Sequence, residues 1–426
     1  MTAFVGWRLA ARTAWTVVGI STIVNALAWG VRATFALFYV AMLDEFAWGR
    51  GATAFGYSLS WLGFVVFAPI AGWLFDRHGA RIVVAIGGLM LGAALVLTGA
   101  VISLTQYYLC FGVLGAAGMA CMLVPSTTVV TRWFVRSRGT AMGVLSAGNA
   151  GGAVVFYPMS AWLIATRGWR GALVALGGAL AVATTMLALL YREPPAAGER
   201  AAGIAHARSI DDNDWSLRRA VRSVRLWAAV SMTALGVIGY QIMATHQVAH
   251  AVDRGFQPTT VVWLFAFGAG CMMAGNLLGG WLSDHLGRAW VFALGSVGAI
   301  IGIGCLAAVS GPSDLALLVL YTASGFGFGM RIAQLSTIPA DAFSGRHLGA
   351  ILGVVQAGGG FGGAVGPFLG GWLFDVTGSY RPAFAVAGLA VAASAVAAWM
   401  ACRERREPAE APRRSFGLRL RVRRPH

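Results

Sequence analysis

Lysine is absent from this chain of 426 residues, and all 32 basic residues are arginine. Acidic side chains are scarce as well, 16 in total, and charged residues make up only 11% of the chain. A soluble domain needs far more polar surface than that, so the soluble class is excluded before any motif is read. The five cysteines, Cys110, Cys121, Cys271, Cys305 and Cys402, all fall within or at the edges of apolar stretches. Their odd number and their spacing argue against a disulfide framework and against a metal site. No Asp or Glu lies at the middle of any apolar stretch, which removes the embedded carboxylate that an exporter of cations would use. No motif places a nucleophile, a base and an oxyanion site together, so no enzyme is expected, and no cofactor or metal. The run Gly325-Phe-Gly327-Phe-Gly329 is no dinucleotide site, because no strand precedes it.

What the chain has in abundance is hydrocarbon. Hydrophobic residues make up 58% of it and the mean hydropathy is +0.71. Stretches long enough to cross about 30 Å of bilayer recur along its whole length. They are expected at 15–42, 52–75, 80–103, 106–131, 139–165, 169–191, 226–251, 258–283, 289–310, 314–341, 347–374 and 380–402. These are continuous apolar runs rather than short alternating segments, so helices are expected and a barrel is not. The first is too long for the apolar region of a signal peptide and is read as retained.

The net charge of +16 could suggest nucleic acid, but its placement points to topology. With the N-terminus inside, 25 of the 32 arginines face the cytoplasm, five face outside and two lie within spans. That asymmetry predicts a multi-pass protein of the cell inner (plasma) membrane with both termini cytoplasmic. The tail after Cys402 carries nine arginines among 24 residues, a composition drawn to anionic lipid. The lipid bilayer is thus an expected partner, nucleic acid is not, and a monomer is expected.

The chain also repeats itself at an offset near 209 residues. Gly72-Trp73-Leu74-Phe75-Asp76 returns as Gly280-Trp281-Leu282-Ser283-Asp284. Gly139, Gly143, Gly148, Gly152 and Trp162 return as Gly349, Gly353, Gly358, Gly362 and Trp372. Gly-rich helices share glycines by chance, but not a register that also holds Trp and Asp. Both halves start on the same side, as parallel repeats do. The predicted organisation is an N-terminal six-helix bundle (1–191), a cytoplasmic linker (192–225), a C-terminal six-helix bundle (226–402) and a basic cytoplasmic tail (403–426).

The loop after the second span reads Gly72-Trp-Leu-Phe-Asp76-Arg77-His78-Gly79-Ala80-Arg81, with a weaker second copy at Gly280…Asp284-His285-Leu286-Gly287-Arg288. Gly72 would let helices approach closely, Gly79 would permit a tight turn, and Asp76 could face the positive end of a neighbouring helix. This loop resembles the signature loop of the major facilitator superfamily. The resemblance implies an all-α fold of twelve transmembrane helices and a loop that latches the two halves together on the cytoplasmic side. The gating residues so implied are Gly72, Asp76, Arg77, Gly79, Arg81, Asp284, Gly287 and Arg288.

Looser motifs resemble the oxalate/formate antiporter and monocarboxylate transporter branch. They are Trp133-Phe134-x3-Arg138-Gly139, His246-Gln247-x2-His250-x2-Asp253-Arg254-Gly255 and Gly371-Trp372-Leu373-Phe374-Asp375-x2-Gly378-x-Tyr380. The chain departs from the family where Phe111 replaces an Arg found in many members. It also lacks the basic residues of the oxalate antiporters in the eighth and eleventh spans, so oxalate itself is not implied.

In this fold the first, fourth, seventh and tenth helices line a central cavity. The two membrane-embedded arginines, Arg32 and Arg331, fall in the first and tenth. Each costs about 2.5–3.5 kcal/mol at a helix centre on insertion scales, so such residues face polar cavities. Two uncompensated cations from opposite halves would make an anion site, and a carboxylate suits the planar fork of arginine. Asn25, Arg32 and Tyr39 are spaced by seven and share a helix face. Gln334 lies one turn from Arg331, and His246 is the best embedded titratable group. The expected function is secondary active transport of a small organic anion, a mono- or dicarboxylate, by alternating access, with protons or a counter-anion as coupled species. A multidrug or metabolite exporter of the same fold and a non-transporting sensor or receptor are the alternatives.

Overall fold

The computed structural model describes residues 2–134, 138–191, 215–343 and 348–402, with the side chains of 2–12, 138–140, 150, 284, 333, 336 and 348–350 outside the description. The tail and most of the linker therefore lie outside the described residues. Among the described residues, ten helices are long and apolar enough to cross a membrane. Two of them, Arg50–Thr98 and Ala141–Leu189, are 49 residues each. At 1.5 Å per residue such a helix would reach on the order of 70 Å, over twice the hydrocarbon thickness. Each is interrupted by a glycine in left-handed backbone, Gly79 (φ 76, ψ 172) and Gly168 (φ 68, ψ 167). The chain reverses there, and each long helix is two spans.

Twelve spans result. The N-terminal bundle contains Thr13–Phe46, 50–78, 80–98, Leu104–Trp133, 138–167 and 169–189. The C-terminal bundle contains Val224–Asp253, Pro258–Leu286, Arg288–Ala308, Pro312–Ala342, Leu348–Thr377 and Arg381–Cys402. Gly287 (φ 87) and Gly378 (φ 69) turn the chain after the eighth and eleventh spans, as Gly79 and Gly168 do after the second and fifth. The duplicated sequence thus carries a duplicated set of reversals. Both ends of the described chain lie on one face of the membrane, here called the terminal side; the other is the far side.

Close packing within each bundle depends on glycine. A Cβ on Gly275 would collide with the carbonyl oxygen of Phe326, and one on Gly329 with that of Met272. The eighth and tenth spans therefore touch backbone to backbone, which only small residues allow. Gly72, expected to serve a close approach, meets only a Val124 methyl at 3.9 Å, an ordinary contact that a Cβ would tolerate. The repeated tryptophans Trp73, Trp281, Trp162 and Trp372 are all exposed, where the surrounding medium is lipid rather than protein.

Polar ties fasten each bundle internally. On the terminal side, Arg132 of the fourth span holds Asp76 at 2.5 Å, and Arg288 holds Asp341 at 3.1 Å. On the far side, Glu45 receives Arg170 at 2.7 Å and the Trp169 indole N–H at 2.6 Å. Arg170 also donates to the carbonyls of Gly99 and Val101, both at 2.9 Å. One arginine so gathers the far ends of the first, third and sixth spans. The two bundles meet where the second span lies on the eleventh, the fifth on the eighth, and the outer part of the first on the seventh.

Candidate functional site

Among the described residues, the polar ties between the bundles cluster on the far side, and Arg50 is their centre. Its guanidinium pairs with Asp253 at 2.7 Å, donates to the Tyr380 hydroxyl at 2.6 Å and lies over the Phe374 ring at 3.9 Å. The backbone N–H groups of Arg50 and Gly51 donate to the two carboxylate oxygens of Asp375, at 2.9 and 2.7 Å. Asp375 therefore caps the N-terminus of a helix in the other bundle, a placement the helix dipole favours. Tyr39 donates to the Arg50 carbonyl at 3.1 Å, and its ring stands edge-on to His246. The Nε2 of His246 is bonded to the Pro367 carbonyl at 2.8 Å. Tyr39 and His246 therefore belong to this closure.

Below the closure lies a cavity of about 340 Å³ between the bundles, and Arg32 and Arg331 both line it. Arg32 is 7% exposed and Arg331 3%. The Arg32 guanidinium lies 4.3 Å from the Trp61 ring centre and 4.5 Å from that of Tyr57. Its Nη1 reaches only the sulfur of Met119, at 3.3 Å, a weak acceptor. Arg331 donates from Nη2 to the Ser394 hydroxyl at 3.1 Å and lies over Phe292 at 4.8 Å. Among the described residues, no Asp or Glu lines the cavity.

The hydrogen-bond accounting singles out this cavity. Among the described residues, eleven buried side-chain N and O atoms have no partner, and seven belong to residues lining it. They are Nε and Nη2 of Arg32, Nε1 of Trp61, Nε2 of Gln241, Nε of Arg331, Oδ1 of Asn149 and Oγ1 of Thr245. Five of the seven are N–H donors. Buried polar atoms in proteins are normally paired, so such a surplus of donors around one space calls for a ligand rich in acceptors.

Of the six expected binding residues, the cavity brings together Arg32 and Arg331. Asn25 and Gln334 are buried but do not line it, and Gln334 is turned to the Gly279 carbonyl at 3.2 Å. Tyr39 and His246 do not line it either; they pack with the Arg50 cluster on the far side. Tyr57, Trp61, Asn149 and Gln241 were not singled out from the sequence, since rings and amides on apolar helices carry no signal of which way they face.

The expected gating loop stays within its own bundle. Asp76 binds Arg132 rather than a helix end, Arg77 stacks on Trp73 at 5.6 Å, and Arg81 donates to the Tyr191 carbonyl at 2.9 Å. With the bundles tied on the far side, the terminal-side loops hold their own helices. Gly79 and Gly287 make the turns expected of them, Arg288 holds Asp341, and the side chain of Asp284 lies outside the described residues.

The family model described as Major Facilitator Superfamily matches residues 18–270 and again 242–425. Monocarboxylate transporter 13 of Rattus norvegicus is 29% identical over 384 residues, covering 88% of this chain and 85% of that one. Monocarboxylate transporter 11 of Homo sapiens is 28% identical over 392 residues, covering 88% and 80%. In fold, the chain is similar to a bacterial homolog of the human lysosomal transporter Spinster, in an inward-facing and occupied conformation. That match has a TM-score of 0.70 at 14% identity, covering 90% of this chain and 96% of that one. It is similar also to the nucleoside transporter NupG, with a TM-score of 0.71 at 14% identity, covering 92% and 100%.

Proposed function

Because the chain belongs to the major facilitator superfamily and is a secondary transporter, we propose that its cargo is a small organic anion, a mono- or dicarboxylate, moved by alternating access. The observation that carries this reading is that, among the described residues, five unpartnered N–H donors surround a cavity that no Asp or Glu lines. A carboxylate brings four lone-pair sites and a negative charge to such a wall. The relatives named as monocarboxylate transporters support the same class.

The binding step would drive the conformational change. Each buried, unpaired donor costs about 1–3 kcal/mol, so sealing an empty cavity away from water on both sides is unfavourable. An anion that satisfies the donors of Arg32 on one bundle and Arg331 on the other lowers that cost and draws the bundles together. Occupancy thereby shifts the population toward the sealed state. On this reading the terminal side is cytoplasmic, the far-side closure is the outer gate, and the conformation described faces inward. We place the protein in the inner membrane as a monomer, with a linker at 192–225 and a basic tail at 403–426 on the cytoplasmic side. Protons or a counter-anion complete the cycle.

The test is anion affinity in purified Arg32→Gln, Arg331→Gln and the two Lys variants, with uptake of labelled carboxylates into proteoliposomes with and without a pH gradient. A lost hydrogen bond to a charged partner amounts to about 1.5–3 kcal/mol, so each Gln variant should bind at least tenfold more weakly. Lys should rescue only in part, since it keeps the charge and loses the fork. Near wild-type affinity in both Gln variants would sink the two-arginine site.

A further inference from the structure

The two arginines do not offer the same seat. Arg331 already gives Nη2 to Ser394, whose own hydroxyl is anchored on the Met232 carbonyl at 2.7 Å. Arg32 keeps Nε and Nη2 unpartnered. Those two N–H groups lie along one edge of the guanidinium and point the same way, which is the geometry that receives both oxygens of a carboxylate. The rings of Tyr57 and Trp61 cover the guanidinium and so orient it. The indole N–H of Trp61 is also unpartnered, and it adds a third donor to this wall.

The rest of the wall is ring surface. Tyr157 of the fifth span lies 6.5 Å from Phe265 of the eighth, centre to centre, and Phe265 lies 6.1 Å edge-on to Tyr321 of the tenth. Tyr240 of the seventh stands edge-on to Phe328 at 5.7 Å. Both bundles contribute, and the Tyr321 hydroxyl is already committed to Gln247. The volume of 340 Å³ corresponds to about ten water molecules' share of the liquid. A two- or three-carbon acid seated on Arg32 would leave most of that space, and most of these rings, against water.

We infer that the cargo is an aromatic acid, its carboxylate on the unpartnered edge of Arg32 and its ring system against the wall formed by Tyr157, Tyr240, Phe265, Tyr321 and Phe328. The inference rests on the anion reading above and narrows it. Offset and edge-to-face contacts with two or more rings, added to the burial of the ring itself, favour an aromatic acid over a three-carbon acid by at least about tenfold.

Calorimetric titration of the purified, full-length protein tests it with phenylacetate, 3-phenylpropionate, pyruvate, succinate and the neutral phenylacetamide. The aromatic acids should bind at least tenfold more tightly than pyruvate or succinate, and phenylacetamide should bind far more weakly than phenylacetate. Arg32→Gln should weaken every acid, whereas Phe328→Leu should weaken the aromatic acids alone. Pyruvate or succinate binding as tightly as phenylacetate, with Arg32→Gln still weakening both, would overturn the aromatic inference and leave the anion reading standing. Phenylacetamide binding as tightly as phenylacetate would overturn both. The wild-type panel decides between these results even where a variant fails to fold.

Discussion

Exchanging Asp375 for asparagine removes one contact that the bundles make across the far side and leaves the cavity untouched. In the wild type, both oxygens of Asp375 accept backbone N–H groups, from Arg50 at 2.9 Å and Gly51 at 2.7 Å. The residue at the helix cap itself is Gly49, which has no side chain to take over. Asparagine keeps one acceptor oxygen, so the substitution removes one hydrogen bond and the negative charge facing a helix N-terminus. A hydrogen bond to a charged group contributes about 1.5–3 kcal/mol. Asp375 is exposed, and screening by solvent places the loss near the lower end, about 1.5 kcal/mol. That is roughly a tenfold shift away from the far-side-closed population. The shift can be read by electron–electron distance measurements between spin labels on Ile102→Cys and Ser313→Cys, both exposed on the far side of opposite bundles, in a background lacking the native cysteines. The ratio of long- to short-distance populations should rise about tenfold in Asp375→Asn. It should rise at least as much in Arg50→Gln, which loses the Asp253 and Tyr380 ties together. An unchanged distance distribution in both variants would refute the assignment of this cluster as the closure.

Two further outcomes follow from particular contacts. Gly275→Val should lower the melting temperature in detergent sharply or abolish folding, because its Cβ would collide with the Phe326 carbonyl. Gly280→Ala, with nothing within 4 Å of the added atom, should leave melting unchanged, and equal behaviour of the two would contradict the packing described. Asp76→Asn breaks an exposed ion pair with Arg132 that contributes at most about 1 kcal/mol to stability. In well-folded protein it should reduce turnover far more than substrate affinity, and unchanged turnover would leave the loop as a topological anchor.

The twelve-span fold was legible because the repeat preserves residues of different chemistry in one register. The reversals were legible as loops at 75–80 and 165–169, yet the helices run to within one residue of Gly79 and Gly168, since a left-handed glycine turns the chain in a single step. Arg32 and Arg331 stood out because a charge in hydrocarbon demands an explanation. Of the three residues spaced by seven on the first span, only Arg32 lines the cavity: Asn25 shares its unbroken helix but lies outside the lining, and the span breaks at Thr34 before Tyr39. Gln334 is at helical spacing from Arg331 but bonds a neighbouring backbone, a choice that periodicity cannot encode. Arg50 read only as one of five outward arginines; its partners Asp253, Asp375 and Tyr380 are more than 200 residues away, and only the docked bundles bring them together.

The two terminal-side ion pairs have opposite polarity. In the N-terminal bundle the acid, Asp76, closes the second span and the base, Arg132, ends the fourth; in the C-terminal bundle the base, Arg288, opens the ninth span and the acid, Asp341, ends the tenth. Halves related by an axis along the membrane normal present their corresponding surfaces to one another. Had duplication kept every sign, corresponding charges would confront their own kind, and each approach of the terminal faces would work against mutual repulsion. The reversal is confined to one position: Arg132 and Asp341 correspond in the fourth and tenth spans and differ in sign, whereas Asp76 and Asp284 keep theirs, and each helix tie stays intact. A pseudosymmetric frame thereby acquires an asymmetric charge pattern at the place where symmetry would otherwise oppose closing.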